Sequence, residues 1–192
     1  MNKETFFKEI KPLLGGKLAQ SQVDGLNAIL EANETYRVGN KQFAYILATI
    51  HHETDKKFQP IEEYGKGKGK LYGTNVKLDK KPYFDTKNIF FGRGHTQNTW
   101  YENYKKLTEL AKSQGHDWDF FNKPELLLQM QPSIWATFEA MKIGLYTGRK
   151  LSDYINTQKC DYVNARRIIN GMDKADLIAG YANNFYNILT KC

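Results

Sequence analysis

Residues 46–67 read ILATIHHETDKKFQPIEEYGKG, with His51, His52 and Glu53 closing an apolar run and Glu62-Glu63 following soon after. Three chemistries compete for these residues: metal binding, carboxylate acid–base catalysis, and plain polar punctuation between two elements. A zinc-protease helix needs H-E-x-x-H, two imidazoles one turn apart on one face. Here His52-Glu53 is followed by Thr54, Asp55 and Lys56, and His95 and His116 lie far away in unlike contexts. No metal ligand set is therefore expected. A Ser–His–Asp arrangement lacks its G-x-S-x-G turn.

Glu53 is more informative as a helical residue. Each residue advances about 100° around a helix, so Glu53 falls about 20° from the direction of Ile46. Ile50 shares that side. A carboxyl at the end of an apolar face is expected to be part-buried. Burial favours its protonated form, as a general acid requires. The competing reading is a helix-terminal glutamate bent toward solvent, and position alone leaves both open.

Glycoside hydrolysis needs a second carboxylate on the other side of the scissile bond. Glu62 and Glu63 stand close enough in sequence for a turn through 56–60, which includes Pro60, to bring one back toward Glu53. Adjacent strand residues point to opposite faces, so only one of the pair is expected in a cleft. In FFGRGHTQNTWYENYKKL, residues 90–107, the glycines flanking Arg93 allow a tight backbone beside a ligand. Asn103 lies on the inner stripe of the following helix with Trp100, Leu107 and Leu110. An amide there either finds an internal partner or faces a cleft, where it suits a sugar hydroxyl or N-acetyl group.

The elements that hold these residues read mostly as helix. Ser21 and Asp24 suggest one start, with Val23, Leu26 and Leu30 behind it. Asn40 is the expected cap of a helix carrying Phe43, Ile46, Leu47 and Ile50. Thr99 and Glu102 suggest a capping box for a helix ending near Gly115. Pro132 suits a first turn with Trp135, Phe138 and Met141 beyond it. Asp161 is expected to open a short helix stopping at Gly171. Asp173 opens the last, with Leu177, Ile178, Tyr181, Phe185 and Ile188 on one side. Residues 61–94 are rich in Gly, Lys and aromatics and predict a small hairpin or irregular sheet. The expected fold class is α+β, predominantly helical, in a single domain spanning 1–192.

The chain has 192 residues, 41% hydrophobic, and a net charge of +7. That size suits one core. No apolar run reaches the roughly 18 residues of a membrane span, and the N-terminus lacks a secretory apolar core, so synthesis in a cytoplasm is expected. Cys160 and Cys192 are too few for a disulfide framework and read as free thiols. The basic charge favours anionic partners such as nucleic acid, teichoic acid, lipopolysaccharide or lipid headgroups. No nucleic-acid motif accompanies it. The GKGKGK lysines read as a solvated loop or as a binding patch.

Four segments taken in order, HET, QPIEEYG, FGRGHTQNTWYENY and RRIINGMDKADLIAGYANNFYNIL, resemble the glycoside hydrolase family 19 group, most nearly its phage endolysin branch. The resemblance runs from about Leu18 to Leu189. It implies a lysozyme-like fold and cleavage of β-1,4 bonds at N-acetylated amino sugars. It places the general acid at Glu53 and the general base at Glu63, with Thr99 helping to hold the attacking water. Gln97, Asn103 and Asn170 are implied sugar contacts, with Arg93 and Tyr64 added as substrate-binding candidates. The family's arginine near IING falls on Arg166 or Arg167, and the choice stays open.

This chain departs from the pattern at Asp55, Asn98 and Glu102. The implied function is that of a peptidoglycan hydrolase, inverting and without cofactor, acting as a monomer on bacterial peptidoglycan. Anionic envelope polymers are further possible partners, and no nucleic acid is expected. Release from a host bacterial cytoplasm to the wall is implied. A chitinase of the same fold, or a non-catalytic cell-wall or nucleic-acid binding protein, are the alternatives.

Overall fold

The computed structural model describes all 192 residues. The apolar run ahead of Glu53 forms a helix, Asn40–Glu53, in which every residue from Phe43 to His51 is buried. A helix apolar on all sides belongs at the centre of a fold. The single stripe expected from Phe43, Ile46, Leu47 and Ile50 is thus the wetter picture; Ala44, Tyr45, Ala48 and Thr49 are enclosed as well.

In chain order the helices are α1 (Lys3–Ile10), α2 (Gln20–Tyr36), α3 (Asn40–Glu53), α4 (Tyr101–Ser113), α5 (Met130–Ile143), α6 (Leu151–Tyr154) and α7 (Ala175–Leu189). The most extensive packing joins α3 to α7. Ala179 and Ala182 on α7 are small, and Ile178, Phe185 and Ile188 fill the contact. Leu177 is exposed, contrary to its expected place on the inner side. α1, α2 and the Ile134–Phe138–Met141 side of α5 complete this larger core. Trp135, Ala136 and Ala140 of α5 face a second cluster with Tyr104 and Leu107 of α4, Phe90 and Phe120. One helix therefore serves both cores.

The sheet is small. β1 (Ile61–Glu62) pairs antiparallel with β2 (Arg93–Gly94), Ile61 opposite Gly94 and Glu62 opposite Arg93. Between them the chain makes a 3-10 turn at Leu71–Gly73 and a single bridge, Val76 to Pro82, and otherwise runs as turns and irregular segments. The molecule is predominantly helical with this one two-stranded sheet.

Helix starts differ from expectation for identifiable reasons. α2 begins at Gln20, and Gln22 reaches back to accept the Ala19 N–H at 2.9 Å; Ser21 lies inside the helix. Gly39, not Asn40, precedes the first turn of α3. Glu102 does not cap α4: its Oε1 accepts the N–H of Leu78 at 3.1 Å and ties the loop after β1 to that helix. A tertiary partner has outcompeted the local one. Pro132 does sit in the first turn of α5. The helix expected from Asp161 is a 3-10 turn at Asn164–Ile168, although Asp161 Oδ1 accepts the Asn164 N–H as a cap would.

Candidate active site

A cavity of about 870 Å³ gathers residues from both cores. Glu53 enters it from the C-terminal end of α3, Glu63 from just after β1, and Gln97, Thr99 and Asn103 from the β2–α4 junction. Asn170 enters from beyond the 3-10 turn. Six of the eight expected site residues thus line one concavity. Arg93 and Tyr64 do not.

Glu53 is mostly buried, with its side chain 16% exposed, and its Oε1 accepts Arg166 Nη1 at 2.7 Å. A carboxylate at a helix C-terminus faces the negative end of the helix dipole. The buried guanidinium offsets that and fixes the carboxyl's direction through a charge-assisted bond. Arg166 is held in turn by Nε donating to the Asp173 carbonyl at 3.0 Å. Of the two arginines left open by the sequence, Arg166 contacts Glu53 and Arg167 lies on the cavity wall. Glu53 is part-buried, one of the two readings its position left open, and its immediate partner is a guanidinium.

Glu63 has different neighbours. Tyr72 donates to Oε1 and the Gly92 N–H donates to Oε2, each at 3.0 Å. Burial, then the hydrogen bond to Glu63, pushes the Tyr72 phenol up to about 12, so it stays protonated and donates. The backbone at Gly92 passes close to both side chains: a Cβ there would meet Gln97 Oε1 at 2.7 Å and Glu63 Cβ at 3.3 Å, so Gln97 would have to shift. Glu62 turns the other way, toward Arg93 at 3.5 Å and Lys66 at 3.0 Å.

The β2–α4 junction is strained. Gln97 and Trp100 have φ of 50° and 74°, unusual for residues other than glycine. Gln97 Nε2 donates to the Ile61 and Gly94 carbonyls, which locks the turn. Trp100 packs edge-on against Tyr72. The Thr99 hydroxyl makes no intramolecular hydrogen bond, so it is free to hold a water or a sugar. Asn103 is buried; its Nδ2 donates to the Thr99 carbonyl at 2.9 Å, while Oδ1 has no partner within the protein. Asn103 thus lines the cavity with its amide nitrogen satisfied and its oxygen enclosed.

Arg93 is a structural residue here. It is 8% exposed, its guanidinium lies 3.7 Å from the Phe91 ring centre, and it donates to the Ile89 carbonyl and Tyr104 hydroxyl. Tyr64 is 71% exposed and bonds Lys57 and Asp55 outside the cavity. His51 and His95 are buried and serve packing, not the cleft. No group of three or more His, Cys, Asp or Glu side chains is arranged to hold a metal ion. The sequence reading missed Tyr72, Tyr146, Thr147 and Arg149, which also line the cavity. They lie in a short 3-10 helix, a turn and an irregular segment without sustained periodicity, so nothing local marks them. Against known proteins, the chain matches no family model and shows no significant similarity to any curated protein.

Proposed function

We propose that this protein is a glycoside hydrolase with a lysozyme-like fold that cuts the β-1,4-linked glycan of bacterial peptidoglycan. The observation that carries this reading is the convergence of Glu53 and Glu63 on one cavity, each held by different partners. Glu53 protonates the leaving glycosidic oxygen. Glu63, oriented by Tyr72 and the Gly92 N–H, takes a proton from an attacking water that the Thr99 hydroxyl helps to place. Electrons of the broken bond leave with the protonated oxygen, and the water oxygen joins the anomeric carbon. Asn103, Gln97 and Asn170 line the path that the glycan would follow.

The test is release of reducing ends from purified peptidoglycan, chitin and DNA controls by wild type and Glu53→Gln. The amide keeps an oxygen for Arg166 but removes the titrating proton, so turnover falls at least about 100-fold. Near-wild-type cleavage by a folded Glu53→Gln protein removes Glu53 as the acid.

A further inference from the structure

The arginines at the cleft are of two kinds. Arg166 is buried and its charge is matched by Glu53. Arg149 and Arg167 also line the cavity but are exposed, and neither is within ion-pair distance of a carboxylate. Their placement is built. The Thr147 hydroxyl donates to the Arg167 carbonyl at 2.6 Å and accepts the Arg149 N–H at 3.3 Å. One side chain thus ties together the two segments that carry the free guanidiniums. Arg167 is steadied further by Nε donating to Asn164 Oδ1 at 3.5 Å.

A neutral chain of N-acetylated sugars offers hydroxyl and carbonyl acceptors but no negative charge to match two uncompensated cations. A carboxylate does, because the planar guanidinium matches it with two parallel N–H donors. We propose that Arg149 and Arg167 form a carboxylate-binding subsite of the cleft, which selects glycan strands bearing acidic substituents over neutral ones. This rests on the glycan-hydrolase reading and gives it a substrate class. The carboxylate has two sources in a cell wall: the lactyl group of an unsubstituted muramoyl residue, or the peptide stem attached to it.

The test is binding, measured by calorimetry so that it needs no turnover. Wild type and the Arg149→Gln/Arg167→Gln variant are titrated with peptide-bearing strands, peptide-stripped strands, and stripped strands whose lactyl carboxylates are converted to methylamides. A neutral chito-oligosaccharide of matching length completes the set. Wild type binds a carboxylate-bearing strand about tenfold tighter than the methylamide and the chito-oligosaccharide. The double variant binds all of them alike, and each single variant loses part of the preference. Preference for stripped strands assigns the lactyl group; preference confined to peptide-bearing strands assigns the stem. Equal affinity of wild type for acidic and neutral strands, or a preference that survives in the double variant, overturns the proposal. Carboxylate-dependent binding without cleavage of any strand overturns the hydrolase reading instead.

Discussion

Glu62 and Glu63 are adjacent in the chain and meet opposite surroundings. Glu62 balances Arg93 and Lys66, whereas Glu63 turns into the cavity under Tyr72. Substituting each by glutamine therefore has separate consequences. Glu63→Gln lowers the rate of reducing-end release from peptidoglycan by about 100-fold or more. Glu62→Gln keeps most activity and costs about 1 kcal/mol of stability, since Arg93 loses a partly exposed partner but keeps its carbonyl and hydroxyl acceptors. A dead Glu62→Gln beside an active Glu63→Gln would assign the base to the wrong neighbour. The alternation of strand side chains made one member of the pair a candidate from sequence, and helical spacing did the same for Glu53. Arg166 could not be paired with Glu53 that way, because it is 113 residues distant and sits in a 3-10 turn with no sustained period.

The contact of α3 with α7 carries a titration that spacing alone did not expose. His51 is 1% exposed, stacked 4.4 Å from Tyr181 and edge-on to Phe58 and Phe185, and neither ring nitrogen has a hydrogen-bond partner. Burial, reinforced by Lys56 and His52, pushes it down to about 4. The negative end of α3 would favour the protonated ring, but desolvation outweighs that. His95 joins β2 to α5, its N–H and Nδ1 both meeting Ser133 Oγ, and burial pushes it down to about 4 as well.

Both histidines bind a proton more readily unfolded than folded. Their contribution is complete above about pH 6.5 and is lost as pH falls from there toward 4, on the order of 3 kcal/mol each. The melting temperature therefore drops steeply below pH 6, and His51→Phe flattens that drop. A melting temperature constant between pH 6.5 and 4.5 would contradict this. Helices α2 to α5 were legible in the apolar periodicity, while the caps of α2 to α4 were not. Glu102 shows why: a side chain suited to a cap found a better partner in the Leu78 N–H.

Across the whole molecule, charge is unevenly spread. Residues 64–87, the loop that joins the two strands, hold seven lysines against two aspartates. This loop also supplies Tyr72 and Leu78 to the cavity, so the densest positive charge adjoins the cleft. Attraction to an anionic envelope is screened within about 8 Å near physiological ionic strength. Lysis of whole cells consequently weakens as salt rises, while cleavage of short soluble strands changes little; equal salt sensitivity on both would separate the lysines from envelope attraction. No helix is long and apolar enough to cross a membrane. The predominantly helical body with a small early sheet was readable from composition and period. The cavity was legible only in part: α3 and α4 carry Glu53 and Asn103 into it, but Tyr72, Tyr146, Thr147 and Arg149 come from segments without a sustained period that meet only when the two cores pack around α5. The proposed inversion requires Glu53 and Glu63 to act as acid and base across a water. Proton NMR of purified glycan strands during digestion tests this most directly. The first new anomeric signal belongs to the α-anomer if water attacks opposite the departing sugar. A β-anomer appearing first, or no new reducing end at all, would contradict it.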